Sequence, residues 1–215
     1  GNPINHSLSP ELHNFWIKKN NINAIYEKIK LEENELENFI NRLRNNEIHG
    51  INVTVPFKNK VIKYLDKLSL EVETTGSVNT IYKNGSDIIG HNTDVAGFEL
   101  GLRHSKINVL HKSILILGAG GVVPSIIYSL LSMGCKKIFL SNRTVEKAEK
   151  IKEKFDDIDI LKWGEIPDFD IIINATIGGL KGNCLVLDFN VKDKIFFDLI
   201  YNPKETQSLR NARER

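Results

Sequence analysis

The order of apolar and polar positions divides the first half of the chain into alternating strand and helix patterns. Leu12, Phe15 and Trp16, with the methylenes of Lys19, recur at helical spacing after Ser9-Pro10. That predicts a helix with Ser9 as N-cap and Pro10 at the first helical position, where its missing N–H costs nothing. Ala24, Tyr26, Ile29 and Leu31 read as a strand over 23–31, and Leu36, Phe39, Ile40 and Leu43 as the buried stripe of a helix over 32–46. Ile51, Val53 and Val55 then alternate with Asn52 and Thr54, a strand that Pro56 must stop. Val61, Ile62 and Leu65 predict that a helix starts at Phe57. Two further strands, over 76–82 and 87–90, flank the hairpin turn Asn84-Gly85, and a helix over 95–103 follows.

The second half is more apolar and more regular. Ser113-Ile114-Leu115-Ile116-Leu117 is a buried-strand run that leads into Gly118-Ala119-Gly120-Gly121 and an apolar helix over 122–133. Residues 137–141, 170–176 and 194–198 are further strands, with a helix over 145–155 and the opening turns of another after Glu205. Strands alternating with helices through short connections predict an α/β fold with a parallel sheet covered by helices.

Composition narrows the chemistry. The chain has 215 residues, 41% hydrophobic and 26% charged, with a formal net charge of +2. A charge so close to zero argues against a general nucleic-acid or anionic-membrane surface, so any anion site must be local. No apolar run approaches a membrane span. Two well-separated cysteines, Cys135 and Cys184, fit a reducing compartment, and a cytoplasmic location is expected. The six histidines show no metal-ligand spacing, so no metal site is expected.

Candidate chemistry sits where elements end. Strand, glycine turn and helix in that order form the context of a dinucleotide loop. Gly118 permits the tight turn and Gly120 a close approach to a pyrophosphate at the helix start. The small third position of that fingerprint is Val123 here, so helix and strand should pack slightly less closely. The next strand ends in Asn142-Arg143-Thr144 rather than in an acidic residue. An acidic residue there would bind a ribose 2′-OH, whereas Arg143 offers a fork for a 2′-phosphate, which points to NADP. Lys58 follows Pro56 and on its own reads as a solvated lysine. Ser7 and Ser9 are either cap residues or two hydroxyls of a small carboxylate site, and Asn79 and Asp94 are either structural or aimed into a cleft.

Taken together, these residues resemble the shikimate dehydrogenases. The motifs run along almost the whole chain: Asn2-Pro3-Ile4-x-His6-Ser7-x-Ser9-Pro10, Asn52-Val53-Thr54-Val55-Pro56-Phe57-Lys58, Val78-Asn79-Thr80, Asn92-Thr93-Asp94, Gly118-Ala119-Gly120-Gly121, Asn142-Arg143-Thr144, Asn174-Ala175-Thr176 and Asp198-x-x-Tyr201-x-Pro203. Each is weak alone, and their order is specific. The resemblance implies a substrate-binding and catalytic α/β domain over 1–97 with a mixed, mostly parallel sheet, and a Rossmann-like NADP-binding domain over 98–215. It implies reversible NADPH-dependent reduction of 3-dehydroshikimate to shikimate, on the route to chorismate and the aromatic amino acids. Lys58 and Asp94 would be the catalytic pair. Ser7, Ser9 and Tyr201 would take the substrate carboxylate, with Thr54, Asn79 and Asp94 around the ring. NADP(H) would contact Gly118, Ala119, Gly120, Gly121, Val122, Asn142, Arg143, Thr144, Lys147, Thr176 and Leu199.

Two other readings remain: a related quinate/shikimate dehydrogenase, and a non-catalytic fragment that binds NADP or shikimate. Members of the family carry a strand before the position of Gly1 and helices beyond that of Arg215, one with a substrate-contacting glutamine. This chain is therefore expected to be a fragment. Ile177-Gly178-Gly179-Leu180 also departs from the family's Ser-x-Gly-Met. A monomer or homodimer is expected, with a hinge between domains near 94–103.

Overall fold

A computed structural model of the chain describes residues 1–5, 7–176, 193–201 and 203–214. These fold as two compact units, Gly1–Asn92 and Thr93–Arg215. His6, the 177–180 departure, Cys184 and Asn202 lie outside the described residues.

The first unit contains α1 (Ser9–Lys19), α2 (Leu36–Arg44), β1 (Gly50–Asn52), β2 (Lys67–Leu68), α3 (Leu70–Thr75), β3 (Thr80–Asn84) and β4 (Asp87–His91). Its sheet runs β1-β3-β4-β2. The β2–β4 pair is parallel, and β1–β3 and β3–β4 are antiparallel. The sheet is mixed, as expected, but antiparallel pairs outnumber parallel ones among the described strands. The hairpin is one reason: its two-residue loop is Gly85-Ser86, one residue beyond the expected Asn84-Gly85, and such a hairpin leaves its strands antiparallel. Leu36, Ile40 and Leu43 of α2 close a core with Val53, Phe57, Val61, Val78, Ile81 and Ile88. Arg44 at the end of α2 forks onto both carboxylate oxygens of Asp66 at 2.8 and 3.3 Å, and Asp66 also accepts Ile88 N–H at 2.7 Å.

Three local expectations change. Residues 23–31 are extended but pair with no strand among the described residues, because an alternating pattern becomes a strand only where a neighbour completes its ladder. The helix expected from Phe57 is a series of turns with one 3-10 turn, Ile62–Tyr64. Its apolar spacing also suits tight turns, and Phe57 and Val61 are buried by them. At α1 the N-cap is Leu8, not Ser9, and the Ser9 N–H donates to Ser7 Oγ at 3.3 Å. No residue of α1 is buried, and its apolar stripe is exposed, Phe15 by 59%.

The second unit contains α4 (Asp94–His104), β5 (Ser113–Leu117), α5 (Val123–Ser132), β6 (Lys137–Ser141), α6 (Val145–Lys152), β7 (Ile158–Leu161), β8 (Ile171–Asn174), β9 (Ile195–Asp198) and α7 (Gln207–Glu214). Its described strands run β9-β8-β5-β6-β7, and every pair among them is parallel. The continuous apolar run of β5 follows from burial on both faces. Ile114 and Ile116 join α5 in one core, while Leu115 and Leu117 join Phe169 and Ile172 in another. β7 is the strand the apolar pattern does not announce, since Asp157 and Asp159 interrupt it. Val123 is fully buried despite being larger than the fingerprint's usual residue.

Gly118 has φ +106°, and a Cβ there would lie 2.8 Å from Ala175 O. Gly118→Ala is expected to lower stability by roughly 1–3 kcal/mol, read as a fall in denaturant midpoint. The Arg44 fork holds the Asp66 carboxyl below its usual range. Its contribution is therefore full above the unfolded value of about 3.9 and is lost as pH falls through the lower folded one. Asp66→Asn should flatten that acid limb of unfolding, and an unchanged limb would contradict the assignment.

Candidate active site

In the first unit the candidate residues sit on two turns and one strand end. Asn2 N–H donates to Val55 O at 3.0 Å, which staples the N-terminal turn to the turn after β1. The Asn2-Pro3 and Val55-Pro56 peptide bonds in these turns are both cis. Val53 N–H donates to Asn79 O and Val78 N–H to Lys58 O, both at 2.8 Å. Thr54 and Lys58 therefore flank the segment that carries Asn79, and buried Phe57 anchors the turn between them. All three of these polar residues are half-buried.

A second group adjoins them. The Tyr26 phenol donates to Asn52 Oδ1 at 3.0 Å. Asn52 Nδ2 donates to Thr80 Oγ1 at 3.2 Å and to Asn79 O at 3.4 Å. The Thr80 hydroxyl in turn donates to Asn79 Oδ1 at 3.0 Å. Burial raises the Tyr26 phenol above its usual value. Sequence patterning places Tyr26 in a strand and gives it no part in a site. The only signal is a polar-tipped aromatic on an otherwise apolar alternation.

In the second unit the candidates gather at the carboxyl end of the sheet. Gly118 N–H donates to Ser141 O at 2.8 Å, and Ala119 N–H to Asn142 Oδ1 at 3.1 Å. Asn142 Nδ2 returns to Thr144 O at 2.7 Å, so one amide joins the glycine turn to the start of α6. Thr144 is the N-cap of α6, and Arg143 and Lys147 beside it are exposed. Gly121 has open space where a Cβ would stand. Buried Asn174 donates to Asp198 Oδ1 at 3.1 Å, and its Oδ1 accepts from the Thr176 N–H and hydroxyl at 3.1 and 2.7 Å. Asp198 Oδ2 accepts the hydroxyl of buried Thr206 at 2.7 Å. That network fixes Thr176 and the Leu199 turn on the same rim. Tyr201 beyond it is 71% exposed. Asp94 is the first residue of α4, with Thr93 rather than Asp94 as N-cap, and its carboxylate lies in the helix's first turn.

The arrangement suits a bound dinucleotide. The close turn at Gly118, the open backbone at Gly121, the start of α5 and two exposed cations are the parts that a pyrophosphate and a further phosphate require. Burial pushes the Cys135 thiol up to about 11, so it is no thiolate nucleophile at neutral pH. No group of His, Cys, Asp and Glu able to hold a metal occurs among the described residues. No helix among them is long and apolar enough to cross a membrane.

The parallel order and its glycine turn define the second unit as a Rossmann-like, dinucleotide-binding α/β fold, and the first unit is a smaller mixed α/β fold. Comparison with known proteins carries this further. Residues 1–81 match the model of the shikimate dehydrogenase substrate binding domain, and residues 101–181 that of shikimate / quinate 5-dehydrogenase. The shikimate dehydrogenase (NADP(+)) of Pelagibacter ubique is 54% identical over 220 residues, covering all of this chain and 82% of that protein. The crystal structure of shikimate dehydrogenase from Aquifex aeolicus is 38% identical with a TM-score of 0.89, over 99% of this chain and 80% of that one. The Listeria monocytogenes shikimate 5-dehydrogenase, solved with shikimate and NAD, is 31% identical with a TM-score of 0.89, over 99% and 81%. The chain belongs to the shikimate dehydrogenase family.

Proposed function

We propose that this chain catalyses the reversible, NADPH-dependent reduction of 3-dehydroshikimate to shikimate. The observation that carries the reading is 54% identity, over the whole chain, to an NADP-dependent shikimate dehydrogenase. The first unit supplies the substrate site and the second the cofactor site. Bound NADPH supplies the hydride. The protein's own task is to orient the ketone and to move one proton to the oxygen that becomes the new hydroxyl.

Ser7, Ser9 and Tyr201 are the residues assigned to the substrate carboxylate. Thr54, Asn79 and Asp94 hold the ring hydroxyls. Lys58 is the proton-handling group and Asp94 its partner. The turn that carries Lys58 supports this, because a main-chain bond to Val78 and a buried Phe57 hold the lysine's base in place. Gly118, Ala119, Gly120, Gly121 and Val122 cradle the pyrophosphate. Asn142, Arg143, Thr144 and Lys147 take the 2′-phosphate side, and Thr176 and Leu199 line the nicotinamide side. The enzyme works in the cytoplasm.

Lys58→Ala should lower kcat by about 100-fold or more while shikimate affinity stays within about threefold. A loss confined to KM would overturn the proton-transfer role. Arg143→Ala should raise the KM for NADP by about 10- to 100-fold and leave that for NAD nearly unchanged. Equal losses with both cofactors would refute a 2′-phosphate contact.

A further inference from the structure

Trp163 belongs to none of the apolar clusters among the described residues, and 39% of it is exposed. It stands at the tip of the turn that follows β7. The Glu165 N–H donates to Lys162 O at 3.0 Å and closes residues 162–165 into a tight turn. The Lys162 N–H donates to Glu165 Oε2 at 2.9 Å and braces the same turn. Gly164 has φ +93°, the left-handed backbone that glycine supplies at the third position of such a turn. Leu161 and Ile166 on either side pack against the cluster of Phe169 and Ile172. The turn is thus anchored at its base, and a large aromatic ring is held out at its tip.

The place of that tip gives the ring a task. β5, β6 and β7 are neighbours in that order, and Leu117, Ser141 and Leu161 stand in one row across them. Gly118 opens the turn after β5. Arg143 lies two residues beyond the row after β6, and Trp163 two residues beyond it after β7. Buried Ser141 ties the three turns together. Its carbonyl accepts the Gly118 N–H at 2.8 Å, and its hydroxyl donates to Lys162 O at 3.2 Å.

We propose that Trp163 is a cofactor-binding residue, the wall on which the adenine ring of NADP(H) stacks. This rests on the reading that the pyrophosphate binds at the glycine turn and the 2′-phosphate at Arg143. The connectivity of the nucleotide then sets the direction. The ribose carries the pyrophosphate on C5′ and the base on C1′, and C1′ adjoins the carbon that bears the 2′-phosphate. With the pyrophosphate at the end of β5 and the 2′-phosphate at the end of β6, the base is carried onward to β7. Neighbouring strands lie about 4.8 Å apart, so one strand step suits the displacement from a sugar to its base. An indole takes a base face to face and makes no demand on the hydrogen-bonding edge. Trp163 would therefore add affinity for the adenosine half without choosing between NADP and NAD, a choice left to Arg143.

The chain's two tryptophans are Trp16 and Trp163, so the emission of Trp16→Phe reports on Trp163 alone. Saturating adenosine 2′,5′-bisphosphate, which lacks the nicotinamide half, should quench that emission, and nicotinamide mononucleotide should not. By calorimetry Trp163→Ala should raise the Kd of NADP and of adenosine 2′,5′-bisphosphate by the same factor, about tenfold. Trp163→Phe, which keeps a ring, should raise both by less than about threefold. The shikimate Kd and the unfolding midpoint should not move.

Unchanged emission of Trp16→Phe with the bisphosphate bound by calorimetry would overturn the inference and leave the cofactor reading intact. Wild-type affinity for the bisphosphate in Trp163→Ala would do the same. A weakening that comes with a lower unfolding midpoint would overturn it in favour of a structural role. Failure of the unaltered protein to bind NADP would overturn the cofactor reading and this inference with it.

Discussion

The second unit depends on the register of its parallel strands. Leu117, Ser141, Asn174 and Asp198 stand side by side in one row across β5, β6, β8 and β9. Parallel ladders with no stagger end together, so the turns that follow must share one rim. Gly118, Asn142, Ala175 and Leu199 are those next residues. Their side chains and amides then bind one another: Ala119 to Asn142, Thr176 to Asn174, and Asn174 to Asp198. Gly118 is where this crowding is greatest, since its backbone lies against that of Ala175. A side chain there would force β5 and β8 apart at the point where the strand order reverses. The polar groups of the rim are thus held by strands buried on both faces, which makes the rim rigid without a disulfide or metal.

The first unit solves a similar problem with shorter strands. β1 contributes only Gly50–Asn52, and the candidate side chains emerge just beyond its end. Main-chain bonds from Val53, Val78 and Asn2 hold the turn after β1 against its neighbours. Side-chain amides do the rest. Asn14 ties the Tyr26 segment to α1, and Asn52 joins it to Thr80. A neutral amide serves here because it both donates and accepts, so it can relay orientation across elements that share no ladder.

Legibility in the sequence followed the range of the interactions. The runs of β5, β8 and β9 and the stripe of α2 are local patterns, and each gave an element of the right kind. The glycine turn was legible because its constraint is set by adjacent residues. Residues 23–31 were misread because pairing is a property of two segments, and alternation describes only one. The turns after Pro56 were misread because apolar residues spaced by three or four bury equally well in consecutive turns. The part Tyr26 plays in tying α1 to β1 was invisible because its partners Asn14 and Asn52 are distant in sequence, and nothing local predicts their meeting. Motifs named Lys58, Asp94 and Arg143 as candidates, while the fold explains only why their backbones are held where they are.

The chain is a shikimate dehydrogenase whose cofactor is NADP. Absorbance at the nicotinamide band, with shikimate or quinate crossed with NADP or NAD, tests that assignment most directly. Shikimate with NADP should give the fastest reduction of cofactor of the four combinations. Absence of NADP reduction with shikimate would contradict it.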